Sequence, residues 1–170
     1  MISSAAIPAG SSCVLDTNVM LYAHQQASAA ATEVLRRCAV GDLIGILPSA
    51  VWEELCHRLM VAEAVATGRI GGQNPARKLA EHPETVRDLG AYRRSLQELA
   101  AMGLRFEPVQ RDDVLRVAFD LQKRYGLLTN DSIIAACAIR IGAEYLVTSD
   151  AGFLPVTELG VALLEDPGAA

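Results

Sequence analysis

Asp16, Asp131 and Asp150 each stand behind or close to an apolar, strand-like run. The runs are Val14-Leu15-Asp16-Thr17-Asn18, Leu127-Leu128-Thr129-Asn130-Asp131-Ser132 and Leu146-Val147-Thr148-Ser149-Asp150. A fourth carboxylate, Glu54 or its neighbour Glu53, sits in Pro48-Ser49-Ala50-Val51-Trp52-Glu53-Glu54-Leu55. Carboxylates gathered in one pocket repel one another and take up protons. A hard divalent cation removes that penalty and prefers oxygen ligands. The set therefore points to a metal-dependent enzyme.

Bringing residues so far apart in sequence together requires an alternating strand–helix fold, in which strand ends gather at one edge of the sheet. Apolar runs and helical periodicity do alternate here. Strands are predicted at Ser12–Leu15, Leu43–Leu47, Arg105–Val109, Tyr145–Thr148 and Gly160–Leu164. Helices are predicted through Val19 and Leu21, over Ala29–Val40, and from Ser49, a candidate N-cap, to about Gly68. The last of these carries Trp52, Leu55, Leu59 and Ala62 on one face, and that periodicity does not choose between Glu53 and Glu54. Further helices are predicted over Pro83–Met102, from an Asp112 or Asp113 cap to Tyr125, and over Asp131–Gly142. The expected fold is α/β, with a central, mostly parallel sheet of about four to five strands. Asp is also a favoured helix cap, so each aspartate alone reads as cap or ligand. Three at successive strand–helix junctions, joined by a glutamate, favour a shared site.

The chain has 170 residues, 51% of them hydrophobic and 21% charged, which suits one compact domain with a core. A single domain is expected over 13–165, with flexible segments at 1–12 and 166–170. Residues 1–12 lack a basic stretch followed by an apolar one, and no apolar run is long enough to span a bilayer; a cytoplasmic protein with no membrane association is expected. The net charge of −5 argues against nucleic-acid binding by bulk electrostatics. It leaves room for a metal-dependent site, because bound cations change the local field.

Other chemistries fail on spacing. Cys13, Cys38, Cys56 and Cys137 form no Cys-x-x-Cys pair, so they read as buried thiols. Glu54-x-x-His57 has helical metal-site spacing, but a di-iron bundle needs it twice. Neither a Gly-x-Gly-x-x-Gly loop nor a Walker loop occurs, and Gly-x-Ser-x-Gly is absent.

The flanking residues sharpen the metal-site assignment. Leu15-Asp16-Thr17-Asn18, Glu54 in a helix after Ser49, Asn130-Asp131-Ser132-Ile133-Ile134-Ala135-Ala136 and Val147-Thr148-Ser149-Asp150-Ala151-Gly152-Phe153 closely resemble the PIN-domain family. The resemblance runs from about Cys13 to Leu164, and size and order look like the small VapC-type toxins. It implies a three-layer fold and Mg²⁺- or Mn²⁺-dependent endoribonuclease activity. Asp16, Glu54, Asp131 and Asp150 fall on the family's four acidic positions, as metal ligands and catalytic residues. Thr148 and Asn18 match supporting positions. The resemblance also implies a homodimer and a cognate antitoxin. Lys123, Arg124 and Arg69 are candidate RNA contacts. Four carboxylates suit phosphodiester hydrolysis, since one or two ions can activate water and neutralise phosphate charge. Competing expectations are a PIN nuclease of RNA processing without an antitoxin, and a non-catalytic RNA- or protein-binding module.

Overall fold

The computed structural model describes residues 1–165; the tail predicted over 166–170 lies outside the described residues. Contacts gather into two compact units, one made of Met1–Trp52 with the chain from Met102 onward, the other of Glu53–Ala101.

The first unit holds six strands, β1 (Ile2–Ser3), β2 (Ser12–Leu15), β3 (Ile44–Pro48), β4 (Arg105–Glu107), β5 (Tyr145–Thr148) and β6 (Val161–Leu163). They form one sheet in the order β1-β6-β5-β2-β3-β4, with every pair parallel. The helices of the chain are α1 (Thr17–His24), α2 (Ala29–Ala39), α3 (Ser49–Ala66), α4 (Pro75–Ala80), α5 (Pro83–Asp88), α6 (Ala91–Ala100), α7 (Phe119–Tyr125) and α8 (Thr129–Arg140). A π-helical stretch, Asp113–Ala118, leads into α7. The expected α/β architecture, a central parallel sheet flanked by helices, is what forms. It has six strands rather than four or five, because Ile2–Ser3, inside the segment 1–12 expected to be flexible, pairs with Ala162 and Leu163 of β6.

Parallel strands in such a sheet are covered on both faces and carry unbroken apolar runs. Cys13, Val14 and Leu15 of β2 and Leu146 and Val147 of β5 are accordingly fully buried. The register sets Val14 beside Leu146 and Leu15 beside Val147. From β2 the chain steps one way to β3 and β4, then returns to the other side of β2 with β5 and β6. The order reverses between β2 and β5. In open α/β sheets the crevice beyond the strand ends at such a reversal is where ligands bind.

Local signals were overridden where a tertiary partner was stronger. Ser49 begins α3, but its Oγ accepts the Val109 N–H at 3.1 Å, which ties the helix start to the chain after β4. Asp112 makes no side-chain cap bond, whereas Asp113 Oδ2 accepts the Gln110 N–H at the helix start at 2.8 Å, and the same carboxylate takes Arg140 Nε at 2.8 Å. On α3 the buried stripe is Val51, Leu55 and Leu59, with Trp52 only half-buried and Ala62 exposed.

The second unit has its own small core of Ala64, Ile70, Leu79 and Leu89, against which Met60, Val61, Val86 and Tyr92 pack. The helix predicted over Pro83–Met102 is two helices, α5 and α6, broken at Leu89-Gly90. Glu63 of α3 caps the second: Oε1 accepts the N–H groups of Gly90 and Ala91 at 2.9 and 3.0 Å, and Oε2 that of Tyr92 at 2.7 Å.

Candidate active site

Asp16 follows the last residue of β2 in extended backbone, φ −73° and ψ 157°, and its N–H continues the ladder to Val147 O at 3.0 Å. Its side chain is then held on both oxygens. Oδ1 accepts the Thr17 N–H at 2.6 Å, and Oδ2 accepts the Thr148 hydroxyl at 2.7 Å. The residue is only 4% exposed. Asp16 is therefore a helix cap, as the sequence allowed, and also one end of a side-chain relay across β2 and β5. It sits at the N-terminal end of α1, where an acidic side chain complements the helix dipole.

Thr148 ends β5 and is fully buried. Its oxygen also accepts the Asp150 N–H at 2.9 Å. Asp150 caps the short 3₁₀ turn Ala151–Phe153 with Oδ1, which accepts the Gly152 N–H at 2.7 Å, and the residue is exposed. One hydroxyl thus joins a buried carboxylate to an exposed aspartate at the point where strand order reverses.

Asp131 is half-buried in the first turn of α8. The residue that caps this helix, Leu128, contributes no side-chain bond, and an acidic residue in the first turn complements the helix dipole. α8 returns through a four-residue connection to β5. A crossover helix runs against its strands, which carries its first turn toward the edge where Asp16 and Asp150 lie. Asn18 is half-buried in the first turn of α1.

Glu54 belongs to the other unit, on the second turn of α3, half-buried with Arg58 Nη1 at 3.4 Å; Glu53 beside it is exposed. Of the three predicted RNA contacts, Arg124 is held by Glu158 at 2.6 Å and Asp120 at 3.2 Å, and it lies 4.8 Å from the centre of the Tyr125 ring. Arg69 pairs with Asp88 at 3.0 Å. Lys123 is exposed.

Among the described residues no three His, Cys, Asp or Glu side chains form a ready metal cluster. Mg²⁺ needs no such cage, because it commonly takes one or two carboxylates and keeps its waters. The side chains of Asp16 and Asp150 offer hard carboxylate oxygens, which suit that ion. The buried cysteines do not compete for a metal: burial pushes the thiols of Cys13 up to about 12, Cys38 to about 11 and Cys137 to about 11.

The PIN domain family model matches residues 13–159. The chain belongs to the PIN-domain family. PIN domains are generally nucleases that use divalent metal ions. This PIN domain has the fold of VapBC2 from Rickettsia felis, solved bound to a DNA fragment from its promoter, at 18% identity over 90% of this chain and 98% of that one, with a TM-score of 0.60. It is also similar to a toxin–antitoxin complex from Klebsiella pneumoniae, at 17% identity over 88% of this chain and 96% of that one, with a TM-score of 0.51. At these identities the likeness is one of fold. No curated protein matches the chain. Among the described residues no helix is long and apolar enough to cross a membrane.

Proposed function

We propose that this PIN domain is a Mg²⁺- or Mn²⁺-dependent endoribonuclease, the toxin component of a type II toxin–antitoxin pair. The observation that carries it is the relay Asp16–Thr148–Asp150 at the reversal between β2 and β5. A bound divalent ion supplies charge neutralisation at the phosphate and a water of lowered pKa.

The chain's own residues do the positioning. Asp16, buried and bonded through both oxygens, is held in its place before any ligand arrives. Thr148 fixes that carboxylate and the backbone of Asp150 together. Asp150 is the solvent-exposed carboxylate of the pair and the one by which an ion would enter. Asp131 and Glu54 join the ligand set from the family resemblance, Glu54 for a second ion or its water, and Asn18 supports the first carboxylate. Lys123, exposed and ahead of Asp131, is the better phosphate contact, since Arg124 and Arg69 are already paired with acids. The substrate is single-stranded or loop RNA, whose backbone such a site admits. A cytoplasmic homodimer whose cleft is covered by an antitoxin segment completes the proposal. The fold shared with a toxin–antitoxin complex from Klebsiella pneumoniae supports it.

The test is cleavage of a mixed structured RNA by purified wild type and Asp131→Asn, each with Mg²⁺, Mn²⁺ or EDTA. Metal-dependent cutting by wild type alone is expected. Equal cutting by the two proteins removes Asp131 from the site. No cutting by folded, metal-bound wild type favours the binding-module alternative. An antitoxin gene beside this one separates a toxin from a nuclease of RNA processing.

A further inference from the structure

We propose that Gln122 and Ser132 are positioning residues for Asp131: the bond between them fixes the first turn of α8 and so sets where that carboxylate stands. The inference rests on the assignment of Asp131 as a metal ligand. Ser132 directly follows Asp131 and is fully buried. Its hydroxyl donates to Thr129 O at 2.8 Å and accepts from Gln122 Nε2 at 2.8 Å, the amide reaching over from α7.

A buried hydroxyl is costly unless it is hydrogen-bonded, and a small apolar residue would fill the same space without that demand. The four residues after Ile134 are Ala135, Ala136, Cys137 and Ala138, all buried. Burial of small apolar groups is non-directional; it holds α8 down without fixing its rotation or slide. Direction comes from polar bonds at the two ends. At the C-terminal end Arg140 reaches Asp113 at 2.8 Å and Glu107 at 3.0 Å. At the N-terminal end, where the capping residue Leu128 gives no side-chain bond, Gln122 ties Ser132 to α7. The bond from Ser132 back to Thr129 O acts on the same turn, since such back-bonding bends a helix locally.

The lever is short. With side chains ending about 5–6 Å from the axis, a rotation of roughly 10° moves a carboxylate by about 1 Å. A misplacement of that size costs on the order of 100-fold in rate.

The experiment compares the full chain as wild type, Gln122→Met, Ser132→Ala, the Gln122→Met/Ser132→Ala double variant and Asp131→Asn. Calorimetric titration with Mn²⁺, thermal melting and RNA cleavage are measured for each. The single variants are expected to bind Mn²⁺ about 10-fold more weakly and to lose roughly 10- to 100-fold in kcat with KM for RNA little changed. The double variant, with no polar group stranded, is expected to recover the wild-type melting temperature but not the Mn²⁺ affinity. Wild-type affinity in the folded variants, or its return along with stability in the double, overturns the inference while Asp131→Asn still weakens binding. Wild type that binds no Mn²⁺ overturns the metal site itself, and the positioning role with it. Should a single variant fail to fold, the double against wild type decides.

Discussion

Thr148 gives its hydroxyl proton to Asp16 Oδ2 at 2.7 Å and takes the Asp150 amide proton on the same oxygen at 2.9 Å. The side chain has no freedom left: its rotor is committed to a buried acceptor and its oxygen to a neighbouring donor. Two aspartates 134 positions apart in the chain are thereby referred to one atom. Parallel pairing of β2 with β5 makes this possible, because Leu15 and Val147 are in register and the next residues of the two strands are Asp16 and Thr148.

Thr148→Val keeps the shape and removes the hydroxyl. Asp16 then loses one partner in a buried site, and the Asp150 N–H loses its acceptor. A stability loss of about 1–3 kcal/mol is expected, together with weaker Mn²⁺ binding. Thr148→Ser should restore most of both. Urea denaturation and Mn²⁺ titration of the two variants check this, and a Thr148→Val protein with wild-type values in both would remove Thr148 from the site.

Glu63 shows the same economy in the second unit, one carboxylate serving three backbone donors of α6. Partial burial pushes its carboxyl up, but the bonds from Tyr92, Ala91 and Gly90 outweigh that and hold it below the ordinary carboxylate range. Glu63→Ala removes an N-terminal cap, a change that costs about 0.5–2 kcal/mol. Faster amide exchange in the first turn of α6 is the expected sign, with the sheet of the first unit unaffected.

The elements that carry the site were legible in sequence because central parallel strands are apolar throughout. Ser12–Leu15 and Tyr145–Thr148 form with the bounds their residues predict; the family resemblance marked Thr148 only as a supporting position, and its bond to Asp16 needed the register of β2 with β5. β1 was not legible, since two residues show no period and their partner in β6 is about 160 positions away. The break at Gly90 was hidden for a similar reason: the cap that starts α6 comes from Glu63, in another helix. Ser49 and Asp113 have the composition of caps, and only the fold reveals that Val109 binds the first and Arg140 binds the second in addition to the Gln110 N–H. Gln122 gave no signal at all, because nothing in its neighbourhood distinguishes it from a solvated glutamine.

Glycines 45 and 160 are expected to differ in what they tolerate. A Cβ on Gly45 would lie 2.6 Å from Leu104 Cδ2 and 2.8 Å from Cys38 Sγ, both ends of side chains that can turn aside. Gly45→Ala should cost about 1–3 kcal/mol, as overpacking does. A Cβ on Gly160 would collide with the carbonyl oxygen of Glu144, and Gly160 O itself accepts the Leu146 N–H at 2.7 Å. Backbone must move there, and β6 would be levered from β5. Denaturant midpoints should rank wild type, Gly45→Ala and Gly160→Ala in falling order; the reverse order of the two variants would contradict the close approach.

Arg140 joins two acids of unequal burial, Asp113 at 1% exposed and Glu107 at 9%. Its Nε lies 2.8 and 3.0 Å from the two oxygens of Asp113, and Nη1 lies 3.0 Å from Glu107 Oε1. Arg140→Met leaves Asp113 as a buried charge with its Gln110 N–H bond but no cation. A loss of about 3–5 kcal/mol is expected, with much of it recovered by Arg140→Met/Asp113→Leu, because removing both charges removes the desolvation penalty. Glu107 adds a pH dependence. Hydrogen bonds from Arg105 first and Arg140 second hold its carboxyl below the ordinary value of 4.5. A depressed folded-state pKa means that its contribution is complete above the unfolded value and drains away as pH falls through the folded one. Urea midpoints should therefore fall on acidification below about pH 4.5. That slope should flatten in Glu107→Gln, and a slope unchanged by the substitution would show that other carboxylates control the acid limb.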